Sequence, residues 1–484
     1  MTVSEITQPA KRKLAANSIG VAHIVFFVVA AAAPMAAVVG ATPPAFAFGN
    51  IGVPGAFVMV GLLYLIFSAG FTAMARHVSS AGGFYSYISK GLGRPLGVSG
   101  AFLALVTYFS IQIGVYAQLG VFAQAAMQSL GINLPWWVWS SVALVAVLLC
   151  GQRHIVFSGR LLGICMIAEL FILALFVVGV VVTGGANGLT WAGLSPSDVF
   201  SPGLGVTLVF VVSAFIGFEA TAIFGEEASN PDRAIPRATV AAVTIITVFY
   251  AFVSWAVVQY YGAPAVAAKA AESMEGFYMG AIAGVLGGWS KVAVNILLLT
   301  SLFACLLSFH NTLNRYFFAL GRDGLIWKRL ASIHQASASP YMAGRVQTIL
   351  VALVLLGFVA IGADPFGVVF AWTVAFAGIG ILAVQVLVSI SIIVFFRKGL
   401  RGFSPLRVLI APSVAAIALA AAFIQVSRNL PLLTGSESLI VALFPVAIIL
   451  IGIAGLVTAM RIRSTNPALY DRLDATFAEA SAET

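Results

Sequence analysis

The sequence predicts an all-α polytopic membrane protein of twelve transmembrane helices. Three observations predict it: twelve apolar stretches of spanning length, basic residues gathered into every second gap, and a chain that is 61% hydrophobic but only 8% charged. That composition leaves too little polar surface for a soluble globule. A helix needs about 20 apolar residues to cross a bilayer. Such spans are predicted at 19–39, 57–75, 98–125, 136–150, 161–182, 203–224, 240–260, 292–318, 346–363, 366–396, 406–424 and 440–460. Of the 25 Lys and Arg residues, only Lys269, Lys291 and Arg428 fall on the opposite side of this pattern from the rest. Positive residues mark the cytosolic side, so both termini are expected in the cytosol of a chain that crosses the cytoplasmic membrane. The net charge of +9 is then an orientation bias, with some attraction to anionic lipid heads. It points to a lipid bilayer as partner and not to nucleic acid.

Cys150, Cys165 and Cys305 all fall within predicted spans, where they read as packing residues rather than a disulfide framework or metal ligands. The apolar stretch after Lys13 is too long for a signal-peptide core and has no small-residue cleavage site. It is therefore expected to be span 1 itself. The tails, 1–15 and 464–484, are polar.

Taken in order, the spans differ in what interrupts them. Span 1 contains Ala31-Ala32-Ala33-Pro34-Met35, and a proline there removes a backbone donor and clashes with the preceding turn. Span 3 carries Tyr108 and Gln112 at mid-depth. Span 5 carries Glu169 midway, with no basic residue in the same span. An ionised carboxylate at that depth is costly, so this one is protonated, paired or facing water. It reads either as a proton carrier or as permanent interhelical glue. Span 6 reads Ser213-Ala214-Phe215-Ile216-Gly217-Phe218-Glu219, with a glycine and a carboxylate near its centre. Spans 1 and 6 are five apart. In five-plus-five inverted-repeat transporters the first helix of each repeat is broken at mid-membrane, and the freed backbone holds the substrate. The alternative for span 1 is a plain proline kink. The matched interruptions place a binding site at Ala31, Ala32, Ala33, Pro34 and Met35 and at Ser213, Ala214, Phe215, Ile216 and Gly217. Tyr108, Gln112, Cys305, Phe309 and Trp372 are the expected side-chain lining.

Beyond span 6, Asn230-Pro231 reads as a helix N-cap with proline at the first position. Glu226, Glu227, Asp232, Arg233 and Arg237 form a charged cluster there, either a surface ion-pair set or a latch on an inner gate. Residues 277–286 are apolar but too short to span, which suits a helix lying over an external vestibule. His310 in span 8 either titrates near neutral pH or is hydrogen-bonded between helices. It lacks neighbours at ligand spacing, so no metal site is expected. Arg322-Asp323-Gly324 fits a helix stop.

Several of these stretches fall in ordered motifs. Phe215-Ile-Gly-Phe-Glu219 is followed by Gly225-Glu-Glu-Ala-Ser-Asn-Pro231 and Ile235-Pro-Arg-Ala238. Ser80-Ala-Gly-Gly-Phe-Tyr-Ser-Tyr87 precedes Gly91-Leu-Gly-Arg-Pro-Leu-Gly97. His310-Asn311 runs through Asn314-Arg315 to Gly321-Arg-Asp-Gly-Leu325. Together they resemble the amino acid–polyamine–organocation (APC) superfamily of permeases over most of residues 15–400. The resemblance implies a LeuT-like fold, with spans 1–5 (16–183) and 6–10 (184–400) as inverted repeats and spans 11 and 12 (401–463) peripheral. It also implies uptake or exchange of amino acids or related amines, and a gating or proton-sensing role for Glu219. Helix capping by that carboxylate is the other role open to it. The chain departs from the family pattern in three places. Ala32-Ala33-Pro34 stands where many relatives have Gly-Ser/Ala-Gly, Ser213 where some have an occluding aromatic, and Glu169 where many have lysine.

The expected function is secondary active import of an amino acid, amine or polyamine by alternating access. Proton symport through Glu169 and Glu219 is favoured, because the chain offers buried carboxylates and no carboxylate-rich sodium site. Its partners would be a small solute, protons and the bilayer, with no cofactor. An exchanger and a non-transporting solute sensor are the alternatives. A membrane enzyme would show clustered catalytic groups, and a channel a charged ring or repeated filter; neither pattern occurs in the sequence.

Overall fold

The computed structural model describes residues 20–78, 83–152, 155–226, 228–334, 339–431 and 438–473. The predicted tails before residue 16 and beyond 473, motif residues 80–82, Arg153 and Glu227 lie outside the described residues. So do the side chains of Ala31, Arg160 and Glu226.

Among the described residues the fold is helical, with no strand. The first half comprises α1 (Val21–Ala32), α2 (Val53–Ala75), α3 (Phe84–Leu92), α4 (Arg94–Gln128), α5 (Trp136–Gln152) and α6 (Ile155–Thr183). A short α7 (Pro196–Val199) leads to α8 (Leu204–Ala214), and a 3₁₀ stretch follows at Phe218–Glu226. Next come α9 (Pro231–Tyr261), α10 (Val266–Glu272), α11 (Phe277–Leu286), α12 (Trp289–Arg322), α13 (Tyr341–Ala360) and α14 (Ala371–Arg397). The chain ends in α15 (Ala411–Arg428), α16 (Leu439–Ala442), α17 (Phe444–Thr465) and α18 (Pro467–Arg472). Wider π-type turns extend several spans, at Ala36–Gly40, Pro365–Phe370 and Leu406–Ile410.

Ten of these helical runs are long and apolar enough to cross a membrane. The two remaining predicted spans fall short for different reasons. Span 1 is divided at Ala33, and span 4 is α5, a 17-residue helix. Elsewhere the helices overrun the predicted ends: α4 begins at Arg94 and α12 runs to Arg322. Hydropathy marks the part of a helix that suits hydrocarbon, whereas helical hydrogen bonding continues into polar flanks.

α6 shows how one helix serves two environments. Ile164, Ile167 and Phe171 are exposed, while Glu169, Ile172, Leu173, Phe176 and Val180 are buried. The buried set recurs at helical spacing, so Glu169 lies on the face turned into the bundle. α2 and α9 pack closely because Gly61 has no side chain: a Cβ there would stand 2.0 Å from Thr247 Oγ1, the small-residue contact common between membrane helices. The predicted short helix at 277–286 is α11. It is tied to the end of span 1 by a hydrogen bond of 3.1 Å from the Thr42 hydroxyl to Tyr278 Oη.

Two terminal signals resolve differently. α12 ends at Arg322 and Gly324 takes φ +76°, the predicted stop. Pro231 opens α9, but the Asn230 side chain makes no capping bond. Asn230 instead adopts φ 58°, a left-handed conformation that asparagine tolerates better than most residues.

A second, smaller core lies at one end of the bundle, where Leu473 packs with Tyr85, Val98, Leu320 and Ala459. Arg94 fastens this corner. Its Nε donates to Leu473 O at 2.6 Å and its Nη2 to Asp471 O at 3.0 Å, and its guanidinium lies 5.2 Å from the Tyr470 ring centroid.

Candidate functional site

The break in span 1 is one residue wide. Ala33 sits at φ 45°, ψ 76°, a conformation that costs an L-residue about 1–2 kcal/mol. Pro34 follows and has no N–H to return to the preceding turn. The backbone groups freed nearby are met by side chains. The Tyr250 hydroxyl of α9 donates to Ala32 O at 2.8 Å. The Met35 backbone N–H and the Ser301 hydroxyl of α12 are directed at the Glu169 carboxyl. The Ser301 approach is looser than a standard hydrogen bond, since its Oγ closes none among the described residues. Glu169 is 2% exposed and makes no salt bridge among the described residues.

The break in span 6 is a turn at Phe215, Ile216 and Gly217, between α8 and the 3₁₀ stretch. Gly217 takes φ 114°, which only glycine adopts freely. Glu219 closes the turn on itself. Its Oε2 accepts from the Gly217 N–H at 3.1 Å, and its Oε1 accepts from the Tyr108 hydroxyl at 2.6 Å. These bonds have the form of the capping contact expected for a carboxylate at the start of a half-helix.

A cavity of about 50 Å³ lies between the two breaks. At about 10–15 Å³ per water, it holds roughly three to five water-sized groups. Ala32 and Ala33 line it from one break, and Ser213, Ala214 and Ile216 from the other, with Cys305 and Phe309 from α12. Other predicted residues stand behind the wall. Pro34 and Met35 follow the break without lining the cavity, and Met35 is fully buried. Phe215 packs between Phe57 and Tyr64, at ring distances of 6.3 and 5.1 Å. Gly217 and Tyr108 serve Glu219. Gln112 is buried outside the cavity, with Oε1 unpartnered among the described residues. Trp372 lies against Phe444 at 6.3 Å.

The remaining wall was not legible in the sequence: Ala36, Ala37 and Ala41 past the first break, Ile111, Val115 and Gln118 on α4, Phe210, Phe370 and Val374. The α4 set is spaced i, i+4, i+7, which identifies one helix face but not what that face meets. Among the described residues, no charged side chain lines the cavity.

His310 is buried between helices. Its backbone oxygen accepts from Gln347 Nε2 of α13 at 2.8 Å, and Gln347 Nε2 also donates to Asn314 Oδ1 at 2.7 Å.

A bundle of apolar helices whose interior cavity sits at two helix breaks is the architecture of a multi-pass membrane carrier. Residues 23–456 match the amino acid permease family, and the chain belongs to it; the protein is a transporter and not an enzyme. Among curated relatives, the chain is 24% identical to the methylthioribose transporter of Bacillus subtilis, over 71% of this chain and 73% of that one. It is 23% identical to the branched-chain amino acid permease BcaP of the same organism and to the low-affinity putrescine importer PlaP of Escherichia coli, with the same coverage. The serine/threonine exchanger SteT of Bacillus subtilis is 23% identical over 62% of this chain and 67% of its own.

Proposed function

We propose that this permease imports an amino acid or related amine across the cytoplasmic membrane by alternating access, coupled to protons through Glu169. The carrying observation is the pair of helix breaks facing one small cavity, lined among the described residues by no charged side chain, with a buried carboxylate turned to the backbone at each. Amides at the N-terminal end of a half-helix suit a carboxylate, and carbonyls at the C-terminal end suit an ammonium. The apolar remainder of the wall suits an uncharged side chain. Relatives named for branched-chain amino acids and for putrescine support an amino acid or amine as the solute.

In this reading the chain crosses the membrane twelve times, with both termini cytosolic. Spans 1–5 and 6–10 are inverted repeats, and spans 11 and 12 are peripheral. Helix lengths at intervals of five support the repeat: α4 and α12 have 35 and 34 residues, α5 and α13 have 17 and 20, and α6 and α14 have 29 and 27. Glu169 faces the backbone just past the first break, so loss or gain of its proton changes what the Met35 N–H and the Ser301 hydroxyl beside it can pair with. Glu219, bonded by Tyr108 and Gly217, holds the second break in shape.

Uptake into proteoliposomes tests the proposal. Replacing sodium with choline should leave accumulation intact, and a protonophore should abolish it. Sodium-dependent uptake that ignores a protonophore would overturn proton coupling. Counterflow without net accumulation would favour exchange, the activity in the name of one relative. Solute binding without any flux would point to a sensor.

A further inference from the structure

Gln118 is a polar side chain that the functional reading leaves unused. It lies on the cavity wall, is only 2% exposed, and its Nε2 has no hydrogen-bond partner among the described residues. Its place along the cavity is set by two neighbours. On α4 it stands seven residues beyond Ile111, about 10 Å further along the axis. Across from it is Gly40, where a Cβ would stand 2.5 Å from Gln118 Nε2. Gly40 is itself seven residues past the break at Ala33. The amide therefore occupies the end of the cavity remote from that break, with apolar Val115 one turn back on the same helix and on the same wall.

We propose that Gln118 is a specificity-determining residue that reads an uncharged hydrogen-bonding group, such as a hydroxyl, at the far end of the solute. The inference rests on the reading that the charged head of an amino acid or amine sits at the breaks. An apolar tail would leave a buried amide unpaired, which costs about tenfold or more in affinity. A site built to hydrogen-bond a hydroxyl rejects the analogue that lacks one. A terminal ammonium or carboxylate would meet no opposite charge among the described residues of this wall and would lose its hydration. A hydroxyl both donates and accepts, so it pairs with either end of the primary amide.

Three amino acids of equal length isolate the terminal group: homoserine ends in a hydroxyl, norvaline in a methyl and 2,4-diaminobutyrate in an ammonium. 5-Hydroxynorvaline, norleucine and ornithine repeat the comparison one carbon longer. Affinities of the six are measured by thermal shift and by competition for uptake in the full-length protein. In at least one set the hydroxylated compound is expected to bind about tenfold tighter than both partners. Gln118→Met, similar in shape but unable to donate, should bring the hydroxyl-to-methyl ratio close to one. Gly40→Ala should lower the same ratio by displacing the amide, and it keeps the test available if Gln118→Met fails to fold. Equal binding of hydroxyl and methyl compounds by the unaltered protein would overturn the assignment, as would a ratio unchanged in the folded variants. In both cases the amino acid reading would stand. If none of the six binds, that reading fails and this inference with it.

Discussion

Glu169 and Tyr108 each serve a helix break, and substitution separates their roles. Glu169→Gln keeps the shape and most of the hydrogen-bonding capacity of the carboxyl but cannot cycle a proton. If Glu169 carries the coupling proton, the variant should fold, bind solute and exchange it, yet fail to concentrate it against a gradient. Full accumulation by a monodisperse Glu169→Gln protein would reduce the residue to interhelical glue and pass attention to Glu219. Tyr108→Phe removes the 2.6 Å donor to Glu219 Oε1 and leaves a buried carboxyl oxygen without it. A loss of about 1–3 kcal/mol is expected, read as a lower thermal midpoint in detergent. Because Tyr108 stands behind the cavity wall, the solute shift measured on top of that lower baseline should persist. Its disappearance would mean that Tyr108 touches the solute.

At the scale of an element, the break in span 1 rests on the left-handed Ala33 and the missing donor of Pro34. Ala33→Gly should retain binding, since glycine adopts this conformation without penalty. Ala33→Val should lose binding, because a β-branched residue is a genuine outlier there and its extra bulk enters the cavity. Equal solute affinity in the two variants would show that the break does not depend on this residue's conformation. The C-terminal corner makes a second element-scale case. Leu473 is fully buried although it follows only the six-residue α18, and Arg94 supplies its polar anchor. Leu473→Ala and Arg94→Ala should each raise hydrogen exchange in α18 by about tenfold or more through local opening. Unchanged exchange would mean that neither contact holds the segment.

For the whole molecule, orientation is the decisive quantity. Single cysteines placed in a background lacking Cys150, Cys165 and Cys305 report it. Ser273→Cys, in the loop between α10 and α11, should react with a membrane-impermeant maleimide on intact cells. Ser404→Cys, in the loop after α14, should react only after permeabilisation. Both positions are exposed, so the reverse pattern would invert the assignment made from basic residues.

Hydropathy and charge alone determined that the chain is a bundle of membrane-spanning helices, because the bilayer fixes the length of each apolar run and lipid forces its backbone into helix. The two breaks were also legible, since Pro34 and Gly217 act through local backbone sterics. Which residues form the wall was decided only by tertiary structure. Phe215 is adjacent in sequence to lining residues yet turns into the aromatic packing around Tyr64, and Tyr108 reaches Glu219 instead of the cavity. The place of Gln118 against Gly40 is likewise set by how α4 packs on the chain past the first break. A break is a property of a few consecutive residues, whereas a wall depends on how several helices rotate and approach, and that is set by packing between residues far apart in the chain.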